Sequence, residues 1–325
     1  GRTQVVLIHK RETGDPQGSP FLCPGASRAG AIIVAKGGIF VKIIDAHVHI
    51  YPAEFERDRD KIAAAEPWFD ILTSSKVQKW GTAEQLIAAM DESGVESSFA
   101  TSFAFRSQEM CRLANDYVLE AARRYPGRIR PLAVVSPLAR GMEQEVARCA
   151  EQGAVGVGEL FPDGQSFDLA DRSQTWRLAE CCRERSLFIS FHTAEQAGHQ
   201  YPGKGGYGAD KAAKFCFNHP DVKVVFAHFG GGLWAYEAMP EMKLALANAR
   251  YDTAAWPWLY GPSILDAIFA IGAGDKIMYG SDWPILNFSR FEKLLAGTGL
   301  SEEQKYAFLR GNAAKFLNSS DTEAK

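Results

Sequence analysis

The sequence predicts a single-domain α/β protein, a (β/α)8 TIM barrel over residues 41–318, and three observations carry that expectation. From Val41 onward, eight strand-length apolar runs are interleaved with stretches of helical spacing. Parallel strands need crossover helices, so this regular beat implies a parallel sheet. No G-x-G-x-x-G turn follows the first strand, which argues against an open dinucleotide-binding sheet.

Each element has its own local reason. KIIDAHVHI (42–50) is a β-branched apolar strand. A long connection leads to a helix over 82–94, with Leu86, Ile87 and Met90 at helical spacing. Thr82 is its candidate N-cap and Gly94 its stop. Strands follow at 95–103, 129–137 and 154–160, separated by helices over 107–124 and 141–152. A helix over 171–185 precedes strand five (187–192), and a glycine-rich loop, 194–209, precedes a helix over 210–218. Strands six (222–228) and seven (249–254), a helix over 262–272 and strand eight (276–282) complete the set. A closing helix runs from 301.

Residues 1–40 lack sustained periodicity and are rich in Gly, Pro, Ser and charge, which predicts a disordered tail. Lys36-Gly37-Gly38, a few residues before Val41, is what a translated purine-rich ribosome-binding sequence would encode. Residues 1–40 are therefore a translated leader or a flexible extension, and 319–325 a flexible C-terminal tail.

The chain has 325 residues, 46% hydrophobic and 23% charged, with formal net charge −3. Lys and Arg are scattered rather than striped, so no nucleic-acid partner is expected. No apolar run approaches the ~18 residues of a membrane helix, and no signal-peptide core is present, so a cytoplasmic location is expected. A homo-oligomer is left open. The six cysteines form no C-x-x-C pair and read as reduced, packed thiols.

The chemistry gathers at strand ends. His47 and His49 lie two apart on strand one, so both project from one face. Glu159 ends strand four, His192 strand five, His228 strand six and Asp282 strand eight. Catalytic groups of a barrel sit at the C-terminal ends of its strands. Nitrogen and oxygen donors converging on one rim are the pattern of a metal site. A lone His-x-His on a strand is more often a pair of satisfied core histidines; the joint placement is what points to a ligand set.

Other residues carry weaker readings. Arg106, after strand two, is either a bidentate clamp for a substrate carboxylate or an exposed helix-start residue. Trp256 and Trp258, after strand seven, either wall the pocket or seal a subunit contact. Trp283 is expected to pack beneath Asp282. The 194–209 loop is a candidate lid, with His199 a poor candidate ligand, and His219 reads as structural.

The segments IIDAHVHIYP, VGVGELFPDGQSFDL, FISFHT, VVFAHFGGG and IMYGSDWPI resemble the amidohydrolase superfamily, over about 44–318. They are most similar to its branch of metal-dependent TIM-barrel hydrolases. That branch also holds non-oxidative decarboxylases of the aminocarboxymuconate-semialdehyde and resorcylate type. The resemblance implies metal ligation by His47, His49, His192 and Asp282. It makes His228 a second-metal ligand or a group that polarises substrate. Glu159 departs from the decarboxylase pattern and is similar to the strand-four carboxylate that bridges two ions in other members.

The reading that follows is a hydrolase of a small amide, lactone or ester, the alternative being a decarboxylase of an aromatic or enoic acid. The expected cofactor is a divalent ion, Zn2+, with one ion favoured over two. Asp282 would move the proton of the attacking water and His228 would polarise the carbonyl.

Overall fold

The computed structural model describes residues 33–34 and 40–318. Of the segment read as a tail or leader, only Ile33–Val34 and Phe40 are described. They form, with Val41, a two-residue antiparallel pairing. The rest of 1–40, including His9 and Cys23, and residues 319–325 lie outside the described residues.

Eight parallel strands follow in sequence order: β1 (Ile43–His49), β2 (Val95–Thr101), β3 (Ile129–Ala133), β4 (Gly156–Leu160), β5 (Phe188–Phe191), β6 (Val224–Phe226), β7 (Ala249–Asp252) and β8 (Ile277–Met278). The sheet closes between its ends. Ala46 N–H donates to Tyr279 O at 2.7 Å, His49 N–H to Trp283 O at 2.7 Å and Asp282 N–H to His47 O at 3.0 Å. The fold is the expected (β/α)8 barrel.

The helices follow their local signals. Helix α1 (Ala83–Ser93) starts in a capping box, with Thr82 accepting from Gln85 N–H and the Gln85 side chain from Thr82 N–H. It stops at Gly94, whose φ of 72° favours a residue without Cβ. Helix α2 (Gln108–Arg124) starts under the Ser107 hydroxyl, and Glu66 reaches over from a separate segment to accept the Arg106 and Ser107 N–H groups at 2.9 and 2.8 Å. Among the described residues, no helix is long and apolar enough to cross a membrane. Cys111, Cys149, Cys181, Cys182 and Cys216 are buried free thiols, as expected.

Three elements differ from the sequence expectation. The long connection 51–81 contains short helices at Ala53–Arg57, Arg59–Ala65 and Pro67–Thr73, too brief to show a helical period. A helix at Phe288–Ala296 fills the span between strand eight and the closing helix. Strand eight itself stops at Met278, because Gly280 to Asp282 turn toward β1 and Asp282 adopts φ 63°.

One end of the barrel is sealed. Ile44, Ala46, Phe99, Leu132, Phe188 and Met278 fill the floor, and Phe316 of the closing helix plugs it, 5.1 Å from Phe188 between ring centroids. Any chemistry is left to the opposite, C-terminal rim.

Candidate metal centre

Two strands break their alternation to aim side chains at that rim. On β1 the register shifts between Asp45 and Val48. Ala46 therefore packs into the floor while the next residue, His47, also turns inward beside His49, as a bulge permits. On β4 the register shifts between Val157 and Leu160. There Gly158, at φ 135°, lies so close to Ser190 that a Cβ would sit 2.8 Å from the Ser190 Cβ, and Glu159 follows it into the centre. His228 and Asp282 are also aimed by left-handed backbone, at φ 56° and 63°.

The side chains meet around Glu159, and every donor is at least nine-tenths buried. One of its oxygens, Oε2, lies 3.6 Å from both His47 Nε2 and His49 Nε2. The other, Oε1, lies 2.9 Å from His192 Nδ1 and 3.3 Å from His228 Nε2. Asp282 Oδ1 approaches His49 Nε2 at 3.6 Å and His47 Nε2 at 3.9 Å. The ligand atoms of His47, His49 and Glu159 lie within 4.8 Å of one another, as do those of Glu159, His192 and His228.

The outward-facing nitrogens decide what these rings offer. His47 Nδ1 meets Asp252 Oδ2 at 2.8 Å, His228 Nδ1 the Ala254 carbonyl at 3.0 Å, and His192 Nε2 the Lys204 carbonyl at 3.1 Å. A carbonyl or carboxylate can only accept, so each of these nitrogens carries the proton. In a neutral imidazole the other nitrogen is then a bare lone pair. Three such lone pairs point at a buried acidic side chain, where like partial charges repel. His47 Nε2 and His49 Nε2 are only 3.0 Å apart. This donor set fits a divalent cation, with the outward partners orienting the ligands.

Electrostatics without a cation tell the same story. Burial opposes charge on His47, yet Asp252 and Glu159 hold its pKa well above the ordinary histidine value. Burial likewise opposes charge on His228, but Glu159 lifts it to about 9. Burial and the neighbouring His47 pull His49 down. Glu159 is held well below the carboxylate range, since His47 and His192 outweigh its burial. The centre thus holds positive charge on His47 and His228 despite their burial, but not on His49.

All six donors read from strand ends, His47, His49, Glu159, His192, His228 and Asp282, are thus brought together. The substrate candidates are not. Arg106 is exposed, and its backbone N–H donates to Glu66 as part of the helix start. Trp256 has no exposed surface and packs edge-on against Phe291 and Phe308, so it is core rather than pocket wall. Trp258 is 48% exposed. His219 is buried against Thr175 Oγ1 and Phe215. The 194–209 loop does lie over the centre, through Lys204. Asp252 escaped the sequence reading, although an acid at the end of strand seven stands at the same level as the other donors.

The family model for amidohydrolases matches residues 44–318. The chain belongs to the amidohydrolase family. The chain is 22% identical over 280 residues to a γ-resorcylate decarboxylase from Polaromonas sp., covering 71% of this chain and 85% of the relative. Its fold is similar to that of 5-carboxyvanillate decarboxylase from Sphingomonas paucimobilis, with TM-score 0.69 and 14% identity over 85% of this chain and 99% of the other. It is also similar to a dihydroxybenzoic acid decarboxylase from Polaromonas sp. JS666, solved with manganese and 2-nitroresorcinol (TM-score 0.63, 19% identity, 85% and 97% covered).

These relatives correct the expectation of a hydrolase. They are decarboxylases, and they favour the carboxy-lyase alternative over attack of water on an amide, lactone or ester. The physical reason is that a donor set fixes where an ion sits, whereas the bond that breaks depends on what is placed beside it. The expected divalent metal site stands, and the dihydroxybenzoic acid decarboxylase of similar fold was solved with manganese.

Proposed function

We propose that this member of the amidohydrolase family is a metal-dependent, non-oxidative decarboxylase of a small hydroxylated aromatic acid. The observation that carries the reading is the buried convergence of four histidines on Glu159, in a chain related to a γ-resorcylate decarboxylase. His47, His49, Asp282 and Glu159 Oε2 would form one ligand set, and His192, His228 and Glu159 Oε1 a second. Because the two sets share only Glu159, we favour two ions over one. Imidazole donors suit Zn2+ and the two carboxylates accommodate Mn2+.

When bound, the metal supplies an electrophile that holds the substrate's oxygens and stabilises negative charge on them. The remaining work falls to the chain. Asp282, beside His47 and His49, delivers a proton from its carboxyl to the ring carbon that bears the carboxylate. The carbon–carboxyl bond then breaks, its electron pair restores the aromatic ring, and CO2 leaves. Phe161, stacked 4.3 Å from His192, and Tyr51, stacked on Phe103 at 4.5 Å, provide aromatic walls. An apolar wall destabilises a carboxylate more than neutral CO2.

The test is CO2 release from 2,6-dihydroxybenzoate and 5-carboxyvanillate by protein loaded with Mn2+ or Zn2+. Metal-dependent release from either acid is expected. No release from any hydroxybenzoate in a wider panel, with metal content verified, overturns the reading.

A further inference from the structure

The loop over the centre is a closed unit. Ala194 N–H donates to the Tyr207 carbonyl at 3.0 Å, so its two ends meet. Inside, Lys204 is only 4% exposed, and its ammonium donates to the Ala197 and His199 carbonyls at 3.0 and 3.1 Å. Lysine is rarely withdrawn from water, and here the withdrawal ties the middle of the loop together.

Two contacts dock this unit on the barrel. Gly206 N–H donates to Asp163 Oδ2 at 2.9 Å, and the Lys204 carbonyl accepts from His192 Nε2 at 3.1 Å. Between them Gly205 runs at φ 73°, so close that a Cβ would lie 2.8 Å from Asp163 Oδ2 and 3.6 Å from His192 Cδ2. The second contact reaches the metal centre itself, because the other nitrogen of the same ring is 2.9 Å from Glu159.

We infer that Lys204 is a positioning residue for the metal centre: its carbonyl, carried by the lid, fixes His192 with Nδ1 as the ligand atom, and its ammonium keeps the lid formed. A neutral imidazole has one N–H. With the lid down, that proton sits on Nε2 and Nδ1 is free to bind a cation. With the lid away, Phe161 still stacks on the ring, but the Glu159 carboxylate 2.9 Å from Nδ1 draws the proton to Nδ1 and blocks it as a ligand atom. Lid closure and ion binding therefore favour each other by the same factor, as any two linked equilibria must. The inference concerns metal retention and stands apart from the decarboxylase reading.

Two variants perturb the lid independently. Lys204→Met cuts the ammonium ties but keeps the carbonyl, and Gly205→Ala forces the chain away from Asp163. Each should bind Zn2+ about tenfold more weakly in competition with a chromophoric chelator, the range for lost partners of ligating histidines. Circular dichroism of the metal-free proteins checks that they fold. In the unaltered protein Zn2+ should slow amide hydrogen exchange across 194–208, and in His192→Ala it should not. Unchanged Zn2+ affinity in either folded variant overturns the inference, as does loop exchange that ignores Zn2+ in the unaltered protein. Should a variant fail to fold, the exchange comparison with His192→Ala decides alone.

Discussion

Asp252 Oδ2 lies 2.8 Å from His47 Nδ1, with neither residue more than 4% exposed, and this one carboxylate ties three strands of the barrel to the metal centre. Its other oxygen accepts the His228 N–H at 3.1 Å and the Ala254 N–H at 3.0 Å. The last residue of β7 thus orients His47 on β1 and fixes the left-handed turn that carries His228 after β6. Asp252→Asn would set an amide N–H against His47 Nδ1–H and favour the wrong tautomer. Metal affinity should fall 10–100-fold, read by competition titration. An affinity within twofold of the unaltered protein would remove Asp252 from the centre.

Glu159 decides how many ions the centre holds. Protein saturated with Mn2+ or Zn2+ should return two ions per chain by elemental analysis, and Glu159→Gln at most one. The amide lacks the charge that offsets repulsion between two divalent ions about 3.5–4 Å apart. A reproducible value of one in the unaltered protein assigns Glu159 instead to orienting His192 and His228.

Asp282→Asn should stay folded, because the Asp282 N–H bond to the His47 carbonyl belongs to the backbone. An amide cannot deliver the proton to carbon, so kcat should fall by about 10²–10⁴. Metal content must be measured alongside, since Asp282 also faces His47 and His49. Near-normal turnover with metal retained would transfer the proton to another group.

Glu66 is a buried cap for helix α2 from outside that helix. Glu66→Ala leaves the Arg106 and Ser107 N–H groups without their acceptor and should cost about 1–3 kcal/mol, seen as a lower urea midpoint. Glu66→Gln keeps one acceptor oxygen and should cost less. Equal midpoints for all three proteins would show that water replaces the carboxylate freely.

His219 should make the fold acid-sensitive. Burial, then Arg172, lowers its pKa to about 4, whereas the unfolded chain titrates near 6.5. As pH falls below 6.5 the unfolded state takes up the proton first, so stability present above 6.5 is lost progressively down to about pH 4. With solvent screening the loss is about 1–2 kcal/mol. The stability difference between the unaltered protein and His219→Gln should narrow over that window; a difference that is flat with pH would contradict the assignment.

Much of this was legible in the residues. Alternating runs marked all eight strands, and Thr82 and Gly94 marked the ends of helix α1, because capping and periodicity are local. The 51–81 connection was misread for the same reason, since its short helices are held by tertiary packing of Phe55 and Phe69 rather than by their own periodicity. The reaction was misjudged too, as Glu159 drew the reading toward hydrolysis.

The sequence by itself determined the barrel and the six polar residues that gather at its rim, since both follow from residue type recurring at strand ends. Only the tertiary structure decided how those donors face one another. Strict alternation would send Ala46 and His47 to opposite faces, and the shifted register of β1 turns both inward. Likewise His228 and Asp282 depend on left-handed turns, and Asp252 and Lys204 become partners of the centre only when β7 and the lid come to rest beside β1 and β5. Those placements depend on backbone dihedrals and long-range hydrogen bonds, and a pattern of residue types along one chain encodes neither directly.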